Sequence, residues 1–369
     1  MARTNIGVGD AKAVKKYSAF LAVDTANKSY FSRKFSGGAD SSMPVHVLNE
    51  LESDAGEYIS YDISMQMTMQ PVVGDDVLEN KEDKLTFYTD GGYLDQIRCG
   101  VNTGGRMSRK RTIHNLRKIG RKRQSDWWAR AFDELHFIYA SGARGINADF
   151  VWPTSFTSFA GNSLSSPDSY HIIYADGATK ATLTANNKLD LADIDRAVGL
   201  MDMTGGGSEG IPAMQPILVD GEERFVLIIN PWQEYDLRTN GSSGQWLDIN
   251  KALVTAVGKD SPIFKGGVGM HNNVVIHKHK KVIRFSDYGT GSPGTVQAAR
   301  GLLLGSQALV LAFGSPGTGL RFGWNEETRD NGNQVVISSH SIFAIKKTTF
   351  NSLDFGVFCI DTAAKDPGA

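Results

Sequence analysis

Two cysteines, Cys99 and Cys359, are all that a chain of 369 residues contains, too few for a disulfide framework or a thiolate metal cluster. They read as inert core thiols of a protein kept in a reducing compartment. Long apolar runs are missing as well. The closest approaches, Phe225 to Ile229 and Leu302 to Phe313, fall short of the roughly 18–20 uninterrupted apolar residues of a membrane span. Met1 to Lys16 has no apolar core behind its charges, so no secretory signal is expected. No charge of one sign dominates: 39 Lys plus Arg against 40 Asp plus Glu leave −1, which gives no whole-molecule attraction for nucleic acid or membrane. Catalytic signatures are absent too. There is no Gly-x-Ser-x-Gly elbow, His-Glu-x-x-His or Cys-x-x-Cys pair, and no pair of carboxylates is set apart, so no catalytic residue is nominated and an enzyme is not expected.

What is present is a normal apolar fraction of 41%, enough to bury the cores of about two domains, and 40 glycines. The glycines gather at Gly205-Gly206-Gly207, Gly266-Gly267 and Gly314 to Gly319, as turns between many short elements. Gly314-Ser315-Pro316-Gly317-Thr318-Gly319 lacks the Gly-Lys-Ser/Thr ending of a phosphate loop, and its proline removes an amide such a loop would use. His277-Lys278-His279 places two imidazoles on one face of a strand, as a zinc site would. No third ligand is indicated, and the flanking Lys278, Lys280 and Lys281 favour a solvated strand end.

Residues 59–70 alternate without an error: Ile59, Tyr61, Ile63, Met65, Met67 and Met69 are apolar, and the residues between them are polar. Twelve residues in one strand would reach roughly 40 Å. The chain then enters an acidic tip, Asp75, Asp76, Glu79, Glu82 and Asp83, and returns through Leu85, Phe87 and Tyr93. A projecting hairpin over 59–98 is the expectation. Its apolar face, Tyr61, Ile63, Met65, Met67 and Met69, would bury against a neighbouring subunit, where flexible thioethers can repack.

Between Asp95 and Asp126 there is no acid, yet Arg106, Arg109, Lys110, Arg111, Arg117, Lys118, Arg121, Lys122 and Arg123 all fall there. Ser108 is placed to cap a helix whose apolar positions, from Ile113 through Trp128 to Tyr139, predict one element of about 34 residues, ~50 Å long. Gly120 costs that helix roughly 1 kcal/mol relative to Ala. The cations wrap the helix rather than forming a stripe, and three readings stand: a solvated face, a neighbour's acidic tip, or nucleic-acid phosphates held without sequence specificity. No aromatic residue interleaves with them before Trp127, which disfavours base stacking.

Other elements follow from local chemistry. A helix over 10–31 is capped by Asp10, and another spans about 190–203. Arg224 to Ile229 is a buried strand ending at Asn230-Pro231, an N-cap with proline at the first helical position. A helix at 245–257 and strands at 273–285, 306–313, 334–348 and 355–361 complete an α+β pattern, while 142–189 reads as loop with short strands.

Several motifs recur in a set order: Gly7-Val8-Gly9-Asp10 with Ala13-Val14, Ala55-Gly56-Glu57, Met65-Gln66-Met67-Thr68, Asp95-Gln96-Ile97-Arg98, Gly104-Gly105-Arg106-Met107-Ser108 and Asp126-Trp127-Trp128-Ala129. Ile345-Lys346-Lys347, Phe350-Asn351, Asp354-Phe355-Gly356-Val357 and Asp361-Thr362-Ala363 close the chain. In this order they resemble the N4 gp56-type major capsid proteins of tailed bacteriophages. The resemblance implies the HK97-like capsid fold: an N-terminal arm over 1–58, an extended hairpin loop over 59–98, and a peripheral domain over 99–210 with a spine helix at 108–141. An axial domain over 211–345 and a C-terminal return over 346–369 complete it. It also implies self-assembly into hexamers and pentamers of an icosahedral shell around double-stranded DNA, with no cofactor and no membrane partner. A portal and a scaffold or decoration protein would be further partners, and the place of action would be the virion, assembled in the host cytoplasm. An encapsulin-type compartment shell and a soluble non-specific nucleic-acid-binding protein are the alternatives.

Overall fold

The computed structural model describes residues 11–38, 41–49, 52, 56–64, 67, 69–85, 87–205, 211–240, 250–252, 261–291, 294–315 and 321–368. An N-terminal arm carries α1 (Ala11–Lys28), α2 (Tyr30–Lys34), β1 (Ser36–Gly37) and β2 (Val45–Leu48). The hairpin strands β3 (Tyr58–Ser64) and β4 (Phe87–Tyr93) follow, then β5 (Asp95–Asn102), α3 (Arg106–Arg111) and α4 (Leu116–Ser141). Short strands β6 (Ser158–Phe159), β7 (Asn162–Ser163) and β8 (Ile172–Tyr174) lead to α5 (Leu191–Met203). Next come β9 (Ile217–Val219), β10 (Glu222–Ile229), α6 (Pro231–Asn240), β11 (Gly269–His271), β12 (Val274–Lys278), β13 (Arg284–Tyr288) and β14 (Val296–Leu304). The chain ends with β15 (Leu309–Gly314), β16 (Gly323–Arg329), β17 (Gln334–Lys347), β18 (Thr349–Phe350), β19 (Leu353–Asp354) and β20 (Val357–Ala363).

Two sheets divide these strands. One joins β1, β2, β15, β17 and β16 in that order, with β5 also on β17; the other runs β11-β12-β10-β14-β20-β8, with β13 on β14 and β9 on β10. Helix α4 lies across the first. Its Gln124 side chain donates to the carbonyl of Ile337 at 2.9 Å, and the Trp128 indole N–H donates to Ser339 Oγ at 2.8 Å. Below them Trp128, Phe132, Phe322 and Phe343 form an aromatic core, with Phe132 and Phe343 at 4.6 Å. Helix α5 covers the second sheet, burying Ile194, Ala197, Val198 and Met201 against Leu227, Leu303, Phe358 and Ile360. The sheets do not follow the expected boundaries at 210 and 345: β15–β17 pair with β5 beneath α4, whereas β8 and β20 join β14.

Local chemistry sets the helix ends. Asp190 accepts from the Asp193 N–H at 2.9 Å and opens α5. Asn230 and Gln233 cap reciprocally at the start of α6: Asn230 Oδ1 accepts from the Trp232 N–H, and Gln233 Oε1 from the Asn230 N–H. Gly142 ends α4 in the left-handed region at φ 68°, where an added Cβ would lie 2.1 Å from the Ser165 carbonyl.

Four expectations are corrected. The spine is two helices, because Thr112 Oγ1 takes the His114 N–H and Asn115 Oδ1 takes the Lys118 N–H, so the backbone turns between α3 and α4. The N-cap of the long helix is therefore Asn115, not Ser108, and Gly120 does not break it. The expected strand to residue 70 is not realised: β3 pairs with β4 over Tyr58–Ser64, and the described residues 67, 69 and 70 lie in no strand. Strand β14, unpredicted, is central to its sheet. His277 is fully buried, not solvated, and its Nε2–H donates to the Ile263 carbonyl at 2.6 Å. The helix expected at 245–257 falls mostly outside the described residues, as does the glycine run 206–210.

Buried ion pairs tie the sheets to the loops. Arg300 of β14 meets Asp361 of β20 through two hydrogen bonds at 2.8 and 2.7 Å, and donates to the Ser141 carbonyl at the end of α4 at 2.7 Å. Tyr288 donates to the same carboxylate, and burial beside that charge pushes its hydroxyl pKa up. Lys347 and Asp354 pair at 2.7 Å, as do Lys281 and Glu134 at 2.8 Å.

Candidate functional site: the hairpin loop and the basic elbow

The hairpin grows from a fixed root. Strands β3 and β4 pair from Tyr58 with Tyr93 to Ser64 with Phe87. Ile59 is buried against Ala312 and Ala344. Gly91 is required where the strands cross, since a Cβ there would lie 2.4 Å from the Ile59 carbonyl. Asn162 clamps the root from outside, accepting from the Tyr93 N–H at 2.9 Å and donating to its carbonyl at 2.8 Å.

Asp90 is the central node of this root. Its carboxylate receives the Lys346 ammonium, the Thr349 N–H at 3.1 Å and hydroxyl at 2.8 Å, and the Tyr61 hydroxyl at 3.1 Å. Burial acts to raise its pKa, but the hydrogen bonds and charge of Lys346 and the Thr349 donors outweigh this and hold it below the ordinary value. Tyr61, expected on the face offered to a neighbour, is thus half-buried within its own chain. Ile63 lies in the ladder opposite Tyr88, Met65 falls outside the described residues, Met69 is half-buried, and Met67 is 62% exposed.

Beyond Ser64 the described loop has no strand. Most of its described apolar residues are solvent-exposed: Val73, Val77, Leu78 and Leu85 join Met67 there. Asp75, Asp76, Glu79 and Glu82 are exposed and meet no cation among the described residues. Asp83 differs, since its carboxylate accepts from the Met69 and Lys84 N–H groups and shapes the loop.

The basic segment separates into two sets. Arg117 pairs with the nearly buried Glu326 at 2.7 Å, Arg121 lies 3.7 Å from Asp24 of α1, Arg123 lies 3.6 Å from Asp126, and Arg109 donates to the Asn333 carbonyl. For Arg117 and Arg121 the partners come from their own chain, a reading not among the three expected, because Glu326 and Asp24 are remote in sequence. Arg106, Lys110, Arg111, Lys118 and Lys122 remain exposed and meet no carboxylate among the described residues. Exposed apolar groups stand among them at the α3–α4 elbow, Ile113 at 98% and Met107 at 62%.

The two imidazoles have packing roles: His277 donates to the Ile263 carbonyl, and His279 stacks against both Tyr30 and Phe137. No group of three or more ligand-type residues able to hold a metal occurs among the described residues. Nor is any helix among them long and apolar enough to cross a membrane. Both thiols are free, with Cys359 buried and Cys99 half-buried.

A family model described as phage capsid protein matches residues 5–366. Over 356 residues the chain is 26% identical to the major capsid protein of Pseudomonas phage KPP25, covering 89% of each. The solved capsid of Ralstonia phage GP4 superposes with a TM-score of 0.86 at 48% identity, covering 99% of both chains. The capsid asymmetric unit of cyanophage Pam1 gives 0.69 at 15% identity, covering 92% of this chain and 93% of that one, a likeness of fold alone. A single architecture thus spans the whole chain, from the arm through the hairpin and elbow to β20, and the protein belongs to the phage capsid protein family, a major capsid protein with an HK97-like fold.

Proposed function

We propose that the protein is of the N4 gp56 type and assembles in the host cytoplasm into hexamers and pentamers of an icosahedral shell around double-stranded DNA. The 59–98 hairpin loop would lie on an adjacent subunit. A portal, and a scaffold or decoration protein, would complete the particle. The six-stranded sheet with α4 would serve as the peripheral part and the eight-stranded sheet with α5 as the axial part.

The observation that carries this reading is a complementarity the chain does not satisfy by itself. The loop exposes Val73, Val77, Leu78 and Leu85 beside Asp75, Asp76, Glu79 and Glu82, while the elbow exposes Met107 and Ile113 beside Lys110, Arg111, Lys118 and Lys122. Apolar burial at ~25 cal/mol per Å² would drive the contact, and the charges would fix its register. Head-to-tail contacts of this kind close into rings when the rotation between neighbours divides the circle, as five- and six-fold rings would require. Each exposed pair contributes only about 0.2–1 kcal/mol, but every contact in a shell repeats it.

Replacing Asp75, Asp76, Glu79 and Glu82 together by Ala should lower particle yield most at low salt, as measured by sedimentation across ionic strength. Yields that stay at the wild-type level at every salt concentration would sink the contact. Replacing Lys110, Arg111, Lys118 and Lys122 by Gln should give the same loss. Intact empty shells holding less DNA would instead assign these cations to the packaged phosphates.

A further inference from the structure

Helix α2 is where the N-terminal arm joins the body of the subunit, and it sits on a floor of histidines. The Tyr30 ring stacks on His279 at 4.5 Å, and Phe31 stacks on His136 at 4.8 Å with 11° between the planes. Phe35, just past the helix, meets His277 edge-on at 5.4 Å. His136 comes from α4, His277 from β12 and His279 from the turn after it, so three imidazoles gathered from two parts of the fold hold one short helix.

Each imidazole is committed to a neutral form. His136 Nδ1–H donates to the Phe132 carbonyl at 2.7 Å, and its Nε2 is buried without a partner. The Nε2–H of His277 donates to the Ile263 carbonyl, and its Nδ1 is likewise buried and bare. His279 Nδ1 accepts from the Lys281 N–H at 3.2 Å. A second proton on any of these rings would therefore sit on a nitrogen that faces no acceptor, or would break the one contact the nitrogen makes.

The surrounding charges do not help such a proton. Lys34 of α2 lies 4.9 Å from the centre of the Tyr30 ring, with Arg33 next to it. Lys280 and Lys281 flank His279, and Glu134 of α4 is already used by Lys281. Lys278 is paired with Glu234. Asp133 of α4 is occupied as the cap of α2, accepting from the Ser29 hydroxyl at 2.7 Å and from the Tyr30 and Phe31 N–H groups. The Tyr30 hydroxyl is buried with no partner.

We propose that this histidine floor is an acid-release device: protonation of His136, His277 and His279 undocks α2, and α1 with it, while α4 and both sheets stay folded. Burial lowers all three imidazoles to about 4, assisted at His277 by Lys34 and at His279 by Lys281, Lys280 and Lys34. A depressed histidine stabilises the docked state above the ordinary value of 6.5, and that stability drains away as pH falls from there toward the docked value. Asp133 works the other way. Burial raises it to about 6, so its own titration favours the docked state on acidification. Three groups thus oppose one, and the balance is toward release. Helix α1 also buries Leu21 in the main core and packs Phe20 against Arg121, so release must expose that apolar surface. Its ion pairs, Lys28 with Asp126 and Asp24 with Arg121, are partly exposed and of small worth.

The device belongs to the single subunit, so it stands or falls independently of the proposed shell contacts. Hydrogen exchange on the full-length protein, stepped from neutral pH to about pH 4, tests it. Amides of residues 11–35 should lose protection while those of α4 at 122–141 keep theirs. His136→Phe combined with His279→Phe keeps the stacking without the titration and should hold the arm docked further into acid. His279→Phe alone, at a half-buried ring, should make the arm's pH response shallower and serves if the double variant fails to fold. An arm that loses protection together with α4, one unprotected already at neutral pH, or a release midpoint and slope unmoved by His279→Phe would each overturn the proposal.

Discussion

Asp361 shows how much of this fold hangs on single buried charges. It takes two hydrogen bonds from Arg300 and one from Tyr288, and both partners of the ion pair are almost fully enclosed. Asp361→Ala strands the guanidinium of Arg300 without water, and removing one partner of such a pair costs about 3–5 kcal/mol. Chemical denaturation of the monomeric subunit should read a loss of that size; a loss under about 1 kcal/mol would mean that the guanidinium finds other acceptors. Gly120 gives the opposite case. It is buried in the interior of α4, and a Cβ there would only touch Ile337 and Val101 at 3.7 and 3.9 Å, ordinary contact distances. Gly120→Ala should therefore stabilise the subunit by roughly 0.5–1 kcal/mol, because helix propensity improves and nothing clashes. A decrease in the denaturation midpoint would show that α4 packs more tightly on β5 and β17 than these distances indicate.

Among the elements, the hairpin is governed by Asp90. Replacing it by Asn removes the charge that gathers Lys346, Thr349 and Tyr61 at the root, so exchange of the β3 and β4 amides should quicken while α4 stays protected. Because the docked carboxylate is held below its ordinary value, its contribution is complete at neutral pH and is lost as pH falls through that lowered value. Unchanged exchange in Asp90→Asn would place the strength of the root in Ile59 and Asn162 instead. The hairpin also marks the limit of what sequence discloses. Alternation from Ile59 to Met69 announces an extended strand, but not how far its partner reaches, and the pairing with β4 runs from Tyr58 to Ser64. Similarly, Asp190 and Asn230-Pro231 announce α5 and α6 because a cap acts on its own neighbours. The break at Thr112 and Asn115 escaped periodicity because it depends on side chains capturing backbone N–H groups, which polarity patterns do not encode. The partners of Arg117 and Arg121 were invisible for a different reason: Glu326 and Asp24 arrive through tertiary structure.

At the scale of the whole molecule, the two sheets bury the core clusters while the loop and the elbow leave apolar and charged groups exposed. That division of labour is what a shell subunit needs, since the core need not change when the contacts do. Electron microscopy of the full-length protein, expressed alone and with a candidate scaffold protein and preceded by sedimentation, tests the account most directly. It predicts closed shells built from rings of five and six subunits, with density for residues 67–85 lying on the α3–α4 elbow of an adjacent copy. Shells in which that loop folds back on its own subunit, or only small discrete species at every salt concentration with and without the scaffold, would contradict it.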